Sequence, residues 1–375
     1  MQLGQQGHAH RRLAVVGTAV ACASVIVGTA AAWPDAGRDP GAAPRASAAG
    51  CTATVLPTLG GRGGTVVATS GNGLSVGIAQ DRTGQARALL WRQGRPVRLG
   101  VRLDAAMPTG VNRQGVVVGT GFDQARQQLV GWWWSAGRVH LLPVRHGDVA
   151  MPEAIDDRGR VVGALVADED HADGPGADED ERAAFWPRVT SLPRELPPLP
   201  GDSAAHAAAI AADGTVGGVS VGEGGRPVLW KAGRATGLPG LRGSYGQVRG
   251  FDGVGRPVGD AQGSGGMHAV VWARAGQPRD LGTLAGGRHS VAMSGASGDP
   301  VGSSADPAPG GGSYDAPVVF RGGRAQGLPL PRAGGTRAVA GTAIDAVTVG
   351  RTLRAVGYSA DAVGTRRPTV WRCVR

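Results

Sequence analysis

Residues Phe251 to Gly287 read FDGVGRPVGDAQGSGGMHAVVWARAGQPRDLGTLAGG. Short apolar runs alternate with glycine-rich turns. A strand ends at Phe251, and the turn Asp252-Gly253-Val254-Gly255 follows. Further strands span Arg256 to Ala261, Met267 to Trp272 and Pro278 to Leu284. Runs of this length between Gly and Asp clusters are strand signals.

The same unit recurs, more or less worn, from Gly60 onward. Aligned on the glycine that ends a short apolar run, the copies carry Gly77, Gly119, Gly163, Gly218, Gly259, Gly302 and Gly357, 41 to 55 residues apart. Six of them have a second glycine four positions earlier, and the last has Leu353 there. Glycine in that place suits a left-handed turn. Asn112, Asp156 and Asp252 enter such turns, where a short polar side chain bonds the backbone. An aromatic residue closes the next apolar run: Trp91, Trp133, Trp186, Trp230, Trp272, Phe320 and Trp371. A strand ending in Leu follows. Four short strands at this period are the mark of a propeller blade. The expected fold is all-β, a single seven-bladed β-propeller. Six or eight blades are the neighbouring counts, because the third and seventh units are irregular.

Only four residues follow Trp371, so the last unit lacks its fourth strand. Thr52 to Leu59 is a strand with no sheet of its own. Ring closure follows, the N-terminal strand completing the last blade. It would bring Cys51 beside Cys373, as a disulfide or as two buried thiols.

Asp280-Leu281-Gly282-Thr283-Leu284, Gly286-Gly287 and Met267-His268-Ala269-Val270-Val271-Trp272, with Ile155 to Gly163 (IDDRGRVVG), resemble the extracellular HAF-repeat proteins. The resemblance covers about 320 residues, from the first unit at Gly60 to the C-terminus. Only the fifth unit carries His-Ala, with Val270 where the family has Phe. The resemblance implies export and a repeat-built β fold, and it brings no catalytic residues.

The chain has 375 residues and a formal net charge of +10, yet Lys231 is its only lysine. Such an arginine preference follows codon usage, and the charge by itself indicates solubility or weak polyanion affinity. No specific nucleic-acid partner is implied. Arg11-Arg12 precede Leu13 to Ala32, twenty residues without a charge that end in Ala30-Ala31-Ala32. This is an export signal at residues 1–32, either cleaved or retained as the chain's one membrane contact. A flexible linker occupies 33–50 and the repeat domain 51–375. The protein is expected to be secreted or associated with the cell envelope.

Candidate functional residues are sparse. The loops between second and third strands of units three and six, Leu165 to Arg182 and Ser303 to Ala316, are long and share a face. The first holds Asp168, Asp170 and Asp173, weak candidates for Ca²⁺, which takes oxygen ligands; a solvated charge block is the bland alternative. Ser220 sits in a Gly-x-Ser-x-Gly string, but at a strand end rather than a strand-to-helix turn. His206 and His289 approach the starts of innermost strands. Trp132 and Trp134 flank Trp133; they pack between blades, or one of them is exposed, and an exposed indole suits sugar stacking. Arg92, Arg95, Arg138, Arg234, Arg274, Arg321, Arg324 and Arg372 recur after third strands, a rim that suits envelope polyanions. Nothing calls for a cofactor. The sequence therefore points to a non-enzymatic binding scaffold for an envelope polyanion, polysaccharide or protein. A polysaccharide hydrolase or lyase and a structural spacer are the alternatives.

Overall fold

The computed structural model describes residues 48–168, 181–243, 245–273, 276–307, 313–333 and 336–374. Seven four-stranded antiparallel sheets follow one another along the chain. Their innermost strands are Gly60–Thr69, Asp104–Val111, Asp148–Ile155, Ala204–Ile210, Gly246–Phe251, Ser290–Ala296 and Ala340–Val349. These define blades 1 to 7 of the expected propeller. In six blades the strands stack outward in chain order.

In the seventh blade the outermost strand is Cys51–Val55 from the N-terminus, paired antiparallel with Arg366–Val374. Thr54 lies opposite Val370, and Cys51 opposite Cys373. The two cysteines form a disulfide across 322 residues. Closing so long a loop in the unfolded chain stabilises the native state by up to about 5 kcal/mol. Leu56-Pro57 then leaves this strand as Leu142-Pro143, Leu196-Pro197, Leu238-Pro239 and Leu328-Pro329 leave the outer strands of other blades.

The repeat glycine has a backbone cause. Each innermost strand carries a β-bulge, and the residue just before it pairs with the repeat glycine: Val66 with Gly77, Pro108 with Gly119, Pro152 with Gly163, and so on round the ring. The bulge tips one carbonyl over the glycine. A Cβ on Gly163 would lie 2.0 Å from the Met151 carbonyl oxygen, and the other six glycines meet the equivalent carbonyl at 1.9 to 2.2 Å. No side chain fits, so a glycine inside a strand marks close backbone approach.

The blades pack through seven apolar seams, each holding the aromatic residue at the repeat position of the third strand, Trp91, Trp134, Trp186, Trp230, Trp272, Phe320 or Trp371, and the seam of Trp134 holds Trp132 as well. Each indole removes roughly 150–250 Å² from water. In blade 2 the repeat position is Trp134, not Trp133. Val117, two residues before Gly119, pairs with Trp134, as Ser75 pairs with Trp91. Five indole N–H groups donate to a carbonyl of the preceding blade's exit loop, Pro57, Pro143, Pro197, Pro239 or Pro329, at 2.7 to 2.9 Å. The two remaining exit loops read Leu99-Gly100 and Leu281-Gly282, with glycine φ of 67° and 70°. Proline holds φ near −65°, so these loops turn differently. Opposite one of them stands Phe320, which has no N–H, and opposite the other Trp134, whose buried Nε1 has no acceptor among the described residues.

Two substitution series test this account by denaturant unfolding. Gly163→Ala is expected to cost about 3 kcal/mol, the upper range for overpacking. Gly159→Ala, at φ 76° with open space around it, should cost only about 1 kcal/mol. Trp91→Phe strands a carbonyl where Trp134→Phe strands nothing, so the first should cost about 1 kcal/mol more than the second.

Candidate functional site

The seven bulges also build the cavity on the propeller axis. Val67, Thr109, Glu153, Ala208, Arg249, Met293 and Ile344 are the bulged residues, and all line a cavity of about 840 Å³. A bulge re-aims its side chain out of the ladder. In blades 1 to 5 the bulged residue stands ten positions before the repeat glycine. That fixed offset is the signal by which the lining is legible in sequence. The cavity reaches the turns between first and second strands of blades 4 and 5, through Ala211 to Asp213 and Gly253 to Gly255. This is the face opposite the two long loops.

Among the described residues four ionisable ones line it: Glu153, Asp213, Arg249 and Asp345. Arg249 is held by buried Asp260. Asp345 accepts hydrogen bonds from the Thr69 and Ala346 N–H groups, both at 2.8 Å, and from Ser294 Oγ at 2.7 Å. Burial raises its pKa against those bonds. Asp213, at the rim, is held below the usual carboxylate range by the Thr215 N–H and hydroxyl and by Lys231.

Glu153 differs. Its carboxylate has no hydrogen bond among the described residues and faces His206 Nε2 at 3.8 Å. The other ring nitrogen, Nδ1, lies 2.6 Å from Glu181 Oε1. Burial opposes a charged imidazole, but the Glu181 hydrogen bond and the two carboxylates outweigh it, and His206 is pushed up to about 9. Burial raises Glu153 as well, countered by the His206 charge and reinforced by Glu181. The cavity wall thus presents one carboxyl group backed by a buried imidazolium.

The other candidates are placed as follows. His206 is buried between blades 3 and 4, while His289 is exposed ahead of blade 6 and accepts the Met267 N–H at 3.2 Å. The two imidazoles do not come together. Trp132 and Trp134 are buried in the seam between blades 1 and 2, so neither offers a face to a sugar. Trp132 donates to the Thr120 carbonyl at 2.8 Å. Period-two alternation puts both on one side; Trp133, on the other, stacks on exposed His140 at 4.3 Å. Asp168 is half-buried, its N–H bonded to the Gly147 carbonyl, and Asp170 and Asp173 lie outside the described residues. The unit-six loop is mostly paired strand, Asp299–Pro307 against Ser313–Arg321. Ser220 is fully buried, donates to Asp202 Oδ2 at 2.6 Å and accepts the Leu199 N–H, so it anchors a loop. Arg92, Arg95, Arg138, Arg234, Arg324 and Arg372 are exposed; Arg321 is half-buried against Asp299, and Arg274 lies outside the described residues. Sequence reasoning missed Glu153 and Glu181 as partners of His206.

No family model matches the chain, and no curated protein matches it. Several solved structures resemble the chain at low identity. The puromycin-hydrolyzing peptidase of Mycobacterium tuberculosis is 14% identical, with a TM-score of 0.41 over 82% of this chain and 58% of that one. TolB from Acinetobacter baumannii is 12% identical, with a TM-score of 0.42 over 82% and 78%. The sialidase of Trypanosoma rangeli, in complex with the inhibitor DANA, is 12% identical, with a TM-score of 0.43 over 86% and 59%. The chain thus spans less than two thirds of the peptidase and of the sialidase. Likeness at this level describes fold alone and assigns no residue a role.

The imidazolium makes stability depend on pH. A histidine raised from 6.5 to about 9 in the folded state binds its proton more tightly there than in the unfolded chain. Its contribution is complete below pH 6.5 and is lost as pH rises through about 9. Thermal unfolding between these limits should show a falling Tm, and His206→Gln should flatten that slope.

Proposed function

We propose that this protein is an exported, non-enzymatic binding scaffold of HAF-repeat type, acting at the cell envelope or outside the cell, with its axial cavity as the ligand site. The disulfide suits an oxidising compartment. A cavity walled by every blade of a rigid ring is the kind of concave, largely apolar site that takes ligands, with few polar groups to orient them.

The observation that carries the reading is how the cavity's charges are spent. Arg249 is neutralised by Asp260, Asp345 is engaged in bonds that tie blades 6, 7 and 1, and Asp213 at the rim is engaged by Thr215 and Lys231. Glu153 remains to accept or donate a hydrogen bond to a ligand. A glycoside hydrolase needs two carboxyl groups flanking the scissile bond; Asp345 already accepts three hydrogen bonds from the protein, and Asp213 is engaged at the rim by Thr215 and Lys231. A saccharide hydroxyl against Glu153 fits this polarity, and the ligand class proposed is an envelope polysaccharide or a fragment of one.

The test is a glycan array with the full chain, followed by titration of each hit and assay for its cleavage. Saturable binding without turnover is expected, weakened about tenfold in Glu153→Gln, the loss of one hydrogen bond to a charged group. Cleavage abolished by the same substitution would replace the scaffold with a hydrolase or lyase. Absence of binding would leave a structural spacer.

A further inference from the structure

One arginine of blade 7 lacks the carboxylate that its repeat equivalents have. Arg160 and Arg256 stand three residues before the repeat glycines Gly163 and Gly259, and each is paired at 2.5 Å with an aspartate four positions earlier, Asp156 and Asp252. Arg354 stands three residues before Gly357, and the position four before it is Gly350. Its residue is only 8% exposed. The guanidinium donates to Thr69 Oγ1 and, at 2.9 Å, to Ser75 Oγ, both neutral hydroxyls of blade 1. Among the described residues no carboxylate forms an ion pair with it.

Arg372 adds a second positive charge, since it lies directly opposite Arg354 on the neighbouring strand. Like charges facing each other across a sheet repel, and a buried charge without a counter-charge is strongly disfavoured. Burial first, then the charge of Arg372, lowers the Arg354 pKa to about 10 against the pull of Asp345. That carboxylate is already committed to Thr69, Ser294 and Ala346.

Both arginines line a cavity of about 290 Å³ at the seam between blades 7 and 1, on the turn face, with Asn72, Gly73, Gln93 and Gly94. Gln93 and Gly94 form a two-residue turn with φ of 52° and 79° and make no main-chain hydrogen bonds of their own among the described residues. Two guanidinium groups and unspent turn amides around one hollow are the donor set of an oxyanion site. We propose that this pocket binds a phosphate group, free or as a monoester, which supplies the counter-charge missing from blade 7.

The test uses the full chain at pH 7.5 and constant ionic strength, exchanging sodium chloride for inorganic phosphate and, separately, for glucose 6-phosphate. Thermal unfolding and calorimetric titration are the readouts. A saturable rise in Tm with phosphate is expected. Arg372→Gln, an exposed change compatible with folding, should weaken binding at least about tenfold through loss of a charge-assisted bond. Arg95→Gln, exposed on the same face but outside the pocket, should leave it unchanged. Tighter binding of the ester would identify an esterified ligand, and tighter binding of the ion a free one. Phosphate no more stabilising than chloride, or an effect that survives Arg372→Gln, would overturn the proposal.

Discussion

At seven places in the ring a carbonyl of the innermost strand lies where a Cβ of the second strand would have to be. That contact ties together the repeat, the bulge and the cavity. The bulge inserts one residue in the innermost strand, twists it and turns the extra side chain toward the axis. The glycine opposite is then compulsory in every copy, while the bulged residue is free to vary. The axis accordingly carries Val67, Thr109, Glu153, Ala208, Arg249, Met293 and Ile344, seven different environments on one invariant backbone device.

Between the blades the packing is apolar, and five seams add an indole N–H bond. The indole buries its rings and still needs an acceptor for its N–H, and the exit loop of the preceding blade supplies it in five seams. Where Gly100 or Gly282 replaces the loop proline, the bond is absent. Phe320 accommodates this by having nothing to donate, and Trp134 does not. Polar groups gather instead at the seam between blades 7 and 1. Asp345, Arg354, Thr69 and Ser75 meet there, and the disulfide clasps the outer edge of blade 7. This is where the repeat is most worn. Leu353 stands where the other six blades keep glycine, Gly350 stands where blades 3 and 5 have aspartate, and among the described residues Arg354 has no carboxylate partner.

Much of this was legible in the residues. Seven glycines at a near-regular period set the blade count, and the spare strand ahead of the first unit is the one that completes the last blade. The turn aspartates also behave as their chemistry demands: Asp156 accepts the Arg158 and Arg160 N–H groups, and Asp252 those of Val254 and Arg256. The tryptophan triplet was not legible. Alternation says that Trp132 and Trp134 share a side, but only the register against Gly119 says which side faces the preceding blade. Glu181 lies in the unit-three loop that reads as a Ca²⁺ candidate or a solvated charge block, although it is the hydrogen-bond partner of a histidine 25 residues away in the next blade.

By itself, then, the sequence determined the repeat, the all-β architecture and the closure of the ring. Those follow from local rules of strand length, turn chemistry and glycine conformation that act over a few residues. Only the tertiary structure decided which charges meet. Whether Glu153 faces His206, whether Asp345 is free, and whether Arg354 has a counter-charge depend on distances between blades. Those distances are set by bulges and seams, and no local pattern encodes them.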